Sequence, residues 1–260
     1  MRIPVVHGLI ERRILVNYRV DPDVLAPLVP APFRPKLHRG HGMVGICLIR
    51  LRGVRPRFVP AWLGISSENA AHRVAVEWDE DGRTREGVYI RRRDTTSRLS
   101  TLAGGQLFPG IHHHARFTVA ETETHFEVAL GSDDGQVAAS VVGDVARALP
   151  ASSIFASLGE ASAFYEAGAL GYSATSDPRR FHGLELECRG WRVEPLAVRS
   201  VRSCVYDDRA VFPEGSIAFD CALLMRGIAH EWHGRADLCC PNPAPAEAFR
   251  EATVAVRRSA

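Results

Sequence analysis

The 260 residues are 46% hydrophobic and carry a formal net charge of +2. That is enough apolar surface for one large domain or two small ones, and the near balance of charge argues against nucleic acid as the main partner. No apolar run approaches the roughly 20 residues that span a bilayer, and the opening MRIPVVHGLIERR holds too short an apolar patch for a secretion signal.

In chain order, VDPDVLAPLVP predicts a short helix, capped by Asp21, with Pro22 in its first turn and Pro30 ending it. GMVGICLIRLRGV is apolar on both alternating phases, the pattern of a strand buried on two faces. HRVAVEW and GVYIRRR follow as strands joined at the hairpin signal Asp81-Gly82. HHHARFTVAETETHFEVAL reads as a further hairpin, and GSDDGQ turns it into VAASVV. The longer helix starts at the capping box SLGE, Ser157 to Glu160, with Gly171 as its stop. LELECRGWRVEPLAV, VRSCVYD and SIAFDCALLMRGIAHEWHG are strands, and PNPAPAEAFREATVAVRRSA is a short helix or tail. The result is a single strand-dominated α+β domain over 1–240, built on a large antiparallel sheet, curled or closed, with 241–260 as the tail.

Six cysteines (Cys47, Cys188, Cys204, Cys221, Cys239, Cys240) form no C-x-x-C pair and read as reduced thiols of a cytoplasmic protein. Cys239 and Cys240 are not expected to hold a metal with His230 and His233, because neighbouring cysteines rarely ligate one ion together. His112, His113 and His114 alternate along a strand. His113 then shares an apolar face with Ile111, Ala115, Phe117 and Val119, while His112, His114, Arg116 and Thr118 form a polar face. The three rings cannot converge on one ion, and no metal is expected. His113 reads either as a core histidine bonded to backbone or as a pocket acid or base.

The densest charge lies in IRRRDTTSRL, Ile90 to Leu99. Alternation puts Arg91 and Arg93 on one side and Arg92 on the other, with Asp94 available to pair an arginine. Such a cluster either grips a carboxylate through guanidinium forks or forms an exposed basic edge. No G-x-S-x-G elbow, phosphate-binding glycine loop or H-E-x-x-H motif is present, and AGGQLF lacks a strand–loop–helix context.

ILVNYRVDPDVLAPLVPAPF followed by GMVGICLIRLRGV resembles the opening of acetoacetate-decarboxylase-like proteins. GVYIRRRDTTSRL and GLELECRGWRVEPLAV are similar to later segments of the bacterial branch known as domain-of-unknown-function family 2071. The resemblance covers Ile14 to Trp232 and implies a cone-shaped, closed, barrel-like sheet with a central cavity and a few flanking helices. Active decarboxylases of that superfamily form an imine on a lysine in a Pro-Lys-Lys-Leu run. Here TSRL stands in its place, with Ser97 and Arg98 at the two lysine positions. Lys36 is the only lysine of the chain, and it falls at a loop edge, so Schiff-base chemistry is not expected. The resemblance further suggests Glu68 as an acidic pocket residue, Asn69 beside it, an N-terminal pocket arginine near Arg12 with its register open between Glu11 and Arg13, and Trp191 and Arg226 on strands lining the cavity or its rim.

Two functions remain open. One is a lyase, hydratase or isomerase acting on a small carbonyl or carboxylate compound, with Arg91, Arg93 or Arg98 as the anion anchor and Glu68 and His113 moving protons. The other is a carrier or sensor binding such a ligand without chemistry. No cofactor is expected; the partner is a small molecule rather than nucleic acid or membrane, and homo-oligomers are compatible with the sequence.

Overall fold

The computed structural model describes residues 5–102 and 109–240. Its elements run β1 (Val6–Val20), α1 (Pro22–Leu25), β2 (Arg34–Pro35), β3 (Leu37–His38), β4 (His41–Pro56), β5 (Ile65–Glu80), β6 (Arg83–Thr95), α2 (Arg98–Leu102), β7 (His112–Glu121), β8 (His125–Ser132) and β9 (Ala138–Val145). They continue with α3 (Leu158–Ala167), β10 (Leu170–Ala174), β11 (Arg180–Cys188), β12 (Glu194–Ser203) and β13 (Ile217–Cys239). AGGQLF and the tail from residue 241 lie outside the described residues.

All the strands join one sheet, ordered β11-β10-β6-β7-β8-β9-β12-β13-β1-β4-β5-β2, with β3 on β4; β5 also pairs β6, and β11 pairs β13. These two extra pairings close the sheet into a ring, and the ring forks. One edge of β13 pairs β1, and its other edge serves β12 at Ala222–Leu224 and then β11 from His230 onward. β6 does the same, with β5 on one edge and β10, then β7, on the other. Strands β13, β1, β4, β5 and β6 are therefore shared by two circuits, one returning through β7, β8, β9 and β12, the other through β10 and β11. The pairings of β6 with β10 and β7 are parallel; the rest are antiparallel, as the hairpin signals require.

Sharing strands demands apolar side chains on both faces. On β4, Val44, Ile46 and Leu48 enter one apolar cluster, and Cys47, Ile49 and Leu51 enter the other. On β13, Leu224 and Leu223 divide in the same way, as do Ile14 and Leu15 on β1. Each such side chain contributes about 1.5–3 kcal/mol by leaving water. Close strand approach is enforced at Gly45, where a Cβ would stand 2.1 Å from the carbonyl oxygen of Val16.

The Asp81-Gly82 turn has φ of 51° and 72°, the left-handed pair of a tight hairpin. At α3, Ser157 Oγ accepts from the Glu160 N–H at 3.1 Å, while Glu160 reaches back to the Ala156 N–H at 2.5 Å. The helix ends at Gly168 rather than at the expected Gly171. Gly171 belongs to β10, where it packs against Ile90 and Val88 of β6.

Two histidines are sealed in this architecture, His72 at 4% exposure and His230 at 2%. Burial, assisted by Arg92 and Arg91, pushes His72 down to about 3; burial, assisted by Arg13 and His7, pushes His230 down to about 4.

Two outcomes follow for stability. Leu48→Ala, at a position 1% exposed, should cost about 2–5 kcal/mol in urea unfolding; a loss under about 1 kcal/mol would contradict burial on a strand packed from both sides. The native pKa values of His72 and His230 lie below the ordinary 6.5, so unfolding takes up protons below that pH. Their stabilisation is complete above about pH 6.5 and falls with acidification, by up to about 1.4 kcal/mol per pH unit for each ring. Urea midpoints unchanged between about pH 7 and 4 would contradict it.

Candidate functional site

Between the shared strands and the β10–β11 limb, closed on one side by α3, lies a cavity of about 120 Å³. Its sheet wall consists of residues in register. One row runs Leu15, Cys47, Ala71, Arg93, His112 across β1, β4, β5, β6 and β7. The row on one side holds Arg13, Ile49 and Asn69; the row on the other holds Asn17, Gly45, Arg73 and Ile90. The period of two then brings Arg13, Arg73 and Arg93 to the same face. All three line the cavity, along with His112, Asn69, Tyr165, Trp191 and mainly apolar neighbours.

Each guanidinium is held by a neutral partner. Arg13 Nε donates to Cys47 Sγ at 3.1 Å, and its head lies 5.7 Å from the Trp191 ring centre. Arg73 donates to Asn17 Oδ1 at 2.5 Å and lies 4.9 Å from the Tyr165 ring centre. Arg93 Nε donates to Ser173 Oγ at 3.1 Å. Among the described residues none of the three forms an ion pair with a carboxylate. Asp94 also lines the cavity, yet it is fully buried and bonded to Arg92 at 2.8 Å. Burial lowers Arg73 and pushes Arg93 down to about 10. Burial, with repulsion from Arg93, pushes His112 down to about 3 against an opposing backbone hydrogen bond at Gly110, so its ring is neutral at pH 7. Burial also raises the Tyr165 phenol well above 10. Arg73 Nε and the Tyr165 hydroxyl are buried with no hydrogen-bond partner among the described residues.

Of the residues singled out from sequence, Arg93, Asn69 and Trp191 line this cavity. Asn69 is already engaged, accepting from Thr95 Oγ1 at 2.7 Å and donating to Ser67 O at 3.1 Å; Trp191 Nε1 donates to Ser162 Oγ at 2.9 Å. Glu68 does not line it. Its phase on β5 is opposite to that of Asn69, and it binds Arg12 and Arg50, each at 2.5 Å. Glu121 closes the box, binding Arg12 at 2.7 Å and also Arg50. Arg226 likewise binds Glu194 at 2.7 Å outside the cavity.

His113 also faces away, half-exposed, with Nδ1 3.1 Å from Asp134. The neighbouring face of β7 turns His112 inward, so the proton-transfer pair expected from sequence, Glu68 with His113, is not assembled at the cavity. Arg91 departs because β6 bulges: Arg73 pairs with Ile90 and His72 with Arg92, leaving Arg91 as the extra residue. The bulge breaks the alternation that would have set Arg91 beside Arg93. Ser97 precedes α2, and Arg98 is exposed at its start; neither lines the cavity. Lys36 is engaged by Glu86 at 2.5 Å and stands 4.5 Å from the Phe164 ring centre, away from the cavity wall.

The sequence reading misses Arg73 and Tyr165, places His112 on the polar face of its strand, and reaches Arg13 only as the far end of the register left open around Arg12. The only sequence signal for Arg73 was phase: it lies two residues from a position on the cavity face. Glu187, Glu231 and His233 offer ligand atoms within 4.8 Å of one another, but Arg57 already binds Glu231 at 2.5 Å, and Arg189 does so at 3.5 Å. No described helix is long and apolar enough to cross a membrane.

Three solved structures are similar to this fold. Acetoacetate decarboxylase from Legionella pneumophila aligns with TM-score 0.57 and 13% identity, over 90% of this chain and 88% of that one. An acetoacetate decarboxylase-like enzyme from Sphingomonas wittichii RW1 gives 0.55 and 12%, over 91% and 92%. The enduracididine biosynthesis enzyme MppR complexed with pyruvate gives 0.53 and 12%, over 95% and 93%. At these identities the likeness is one of fold. No curated protein matches the chain. The model of the DUF2071 family, uncharacterized conserved protein, matches residues 10–215, and the chain belongs to that family.

Proposed function

We propose that this protein binds a small carboxylate-bearing carbonyl compound in the cavity beneath α3, and holds it without an imine. The observation that carries this reading is the trio Arg13, Arg73 and Arg93, without carboxylate partners, on an otherwise mainly apolar wall. Arg73 is buried and Arg13 and Arg93 are half-buried; cations withdrawn from water without counter-charge are costly, and an anionic ligand relieves that cost through charge-assisted hydrogen bonds. The fold neighbour complexed with pyruvate supports an oxo acid as the ligand class. An imine needs a free amine in the cavity, and the one lysine is bound to Glu86 elsewhere.

A thermal-shift series with short 2-oxo and 3-oxo acids tests the reading. A ligand at a hundredfold excess over its Kd should stabilise the protein by about 2.7 kcal/mol. Arg93→Gln should weaken that ligand by about 1.5–3 kcal/mol, whereas Arg98→Gln, on the exposed start of α2, should leave it unchanged. Failure of the whole series, or equal loss in both variants, would overturn the reading.

A second, catalytic reading rests on His112. Its ring is kept neutral partly by the charge of Arg93. A carboxylate bound to Arg93 cancels that repulsion and makes the ring a better base. The ring nitrogen then takes a proton from the carbon beside the ligand carbonyl, and the electron pair left on carbon is delocalised onto the carbonyl oxygen as an enolate. In deuterated water, exchange of that proton should be visible by NMR and should slow about 10²-fold or more in His112→Gln. Exchange no faster than in buffer would leave binding as the whole function.

A further inference from the structure

We infer that the ligand carries two carboxylates. The inference rests on the small-carboxylate reading above and adds the charge count of the ligand. Arg13, Arg73 and Arg93 enter from β1, β5 and β6, and no acidic group among the described residues neutralises any of them. The one carboxylate on the wall, Asp94, is taken by Arg92 on its far side. A single carboxylate has one charge and four lone-pair sites. Seated on one fork, it leaves the other two guanidinium ions of the wall uncompensated.

Each fork is set by its own neutral partner. Arg13, bonded to Cys47 of β4, lies against Trp191, and Arg93 is bonded to Ser173 of β10. Arg73 stands at Tyr165, with its buried Nε and the phenol hydroxyl both lacking hydrogen-bond partners among the described residues. That pair suits a carbonyl or second carboxylate oxygen of the ligand. The site therefore fits a dicarboxylate that also carries a carbonyl.

Isothermal titration of the folded chain at fixed ionic strength, with pairs matched for size, reads the charge count directly. The pairs are succinate against butyrate and against succinamate, and 2-oxoglutarate against 2-oxopentanoate. The dicarboxylate of each pair should bind at least tenfold more tightly. In Arg13→Gln that advantage should shrink to under threefold. Pairs that bind wild-type protein within threefold of each other would overturn the second carboxylate and leave the single-carboxylate reading standing. Absence of binding by every compound would overturn both. The wild-type comparison decides the matter even where Arg13→Gln does not fold, and circular dichroism identifies that case.

Discussion

Burial of β1, β4 and β13 on both faces is the constraint from which the site follows. Arg12 and Arg13 are adjacent on β1 and point to opposite sides of it. Arg12 is 2% exposed and enters a box of two arginines and two glutamates, where Glu68 and Glu121 balance it and Arg50. Arg13 meets Cys47, Met225 and Trp191, all neutral. One face of the strand thus closes its charge balance within the protein, and the other leaves it open. A cation in an apolar wall is tolerated where something pairs it, so the open face is the one that points to a ligand.

Much of the fold was legible because its signals are local. The two-phase apolar run in β4, the Asp81-Gly82 turn and the Ser157 cap each act within a few residues. Closure of the ring was suggested by resemblance, while the fork at β6 and β13 was not, since it depends on one strand edge serving two partners in succession. The candidate site was harder to read for a related reason. Arg93 was identified because it stands in a dense basic run. Arg91 was placed beside it by strict alternation, which the β6 bulge defeats. Arg13 follows a second arginine and Arg73 stands among mixed neighbours, and nothing within their own strands distinguishes a paired arginine from an unpaired one. That distinction lies across the sheet, in whether the side chain reaches Glu68 or Cys47.

The absence of a lysine from the wall changes what the fold can do. An amine with a lowered pKa attacks a carbonyl; a guanidinium does not, since its charge is delocalised and persists even where burial pushes Arg93 down to about 10. A wall that carries guanidinium forks and no amine suits anion recognition rather than covalent capture. His112 lies on the same wall. Burial and Arg93 disfavour its protonated form, and a bound anion would oppose the second, smaller of these causes, so occupancy would strengthen the ring as a base through the same arginine that anchors the ligand.

The partners of the three cavity arginines make the electrostatic case sharper. Asn17 Oδ1, Cys47 Sγ and Ser173 Oγ each accept one N–H and fix the direction of a fork. All three interactions reduce the conformational freedom of a long side chain, yet none places a carboxylate beside it. Elsewhere the same chain pairs arginine with acid repeatedly, as at Arg34 with Glu77 and Asp79, or Arg226 with Glu194. A glutamate in place of any of the three neutral acceptors would offer the guanidinium a hydrogen bond and cancel its field as well. Orientation without neutralisation is what a preorganised anion site requires: the donors are aimed before the ligand arrives, and their charge is still available when it does.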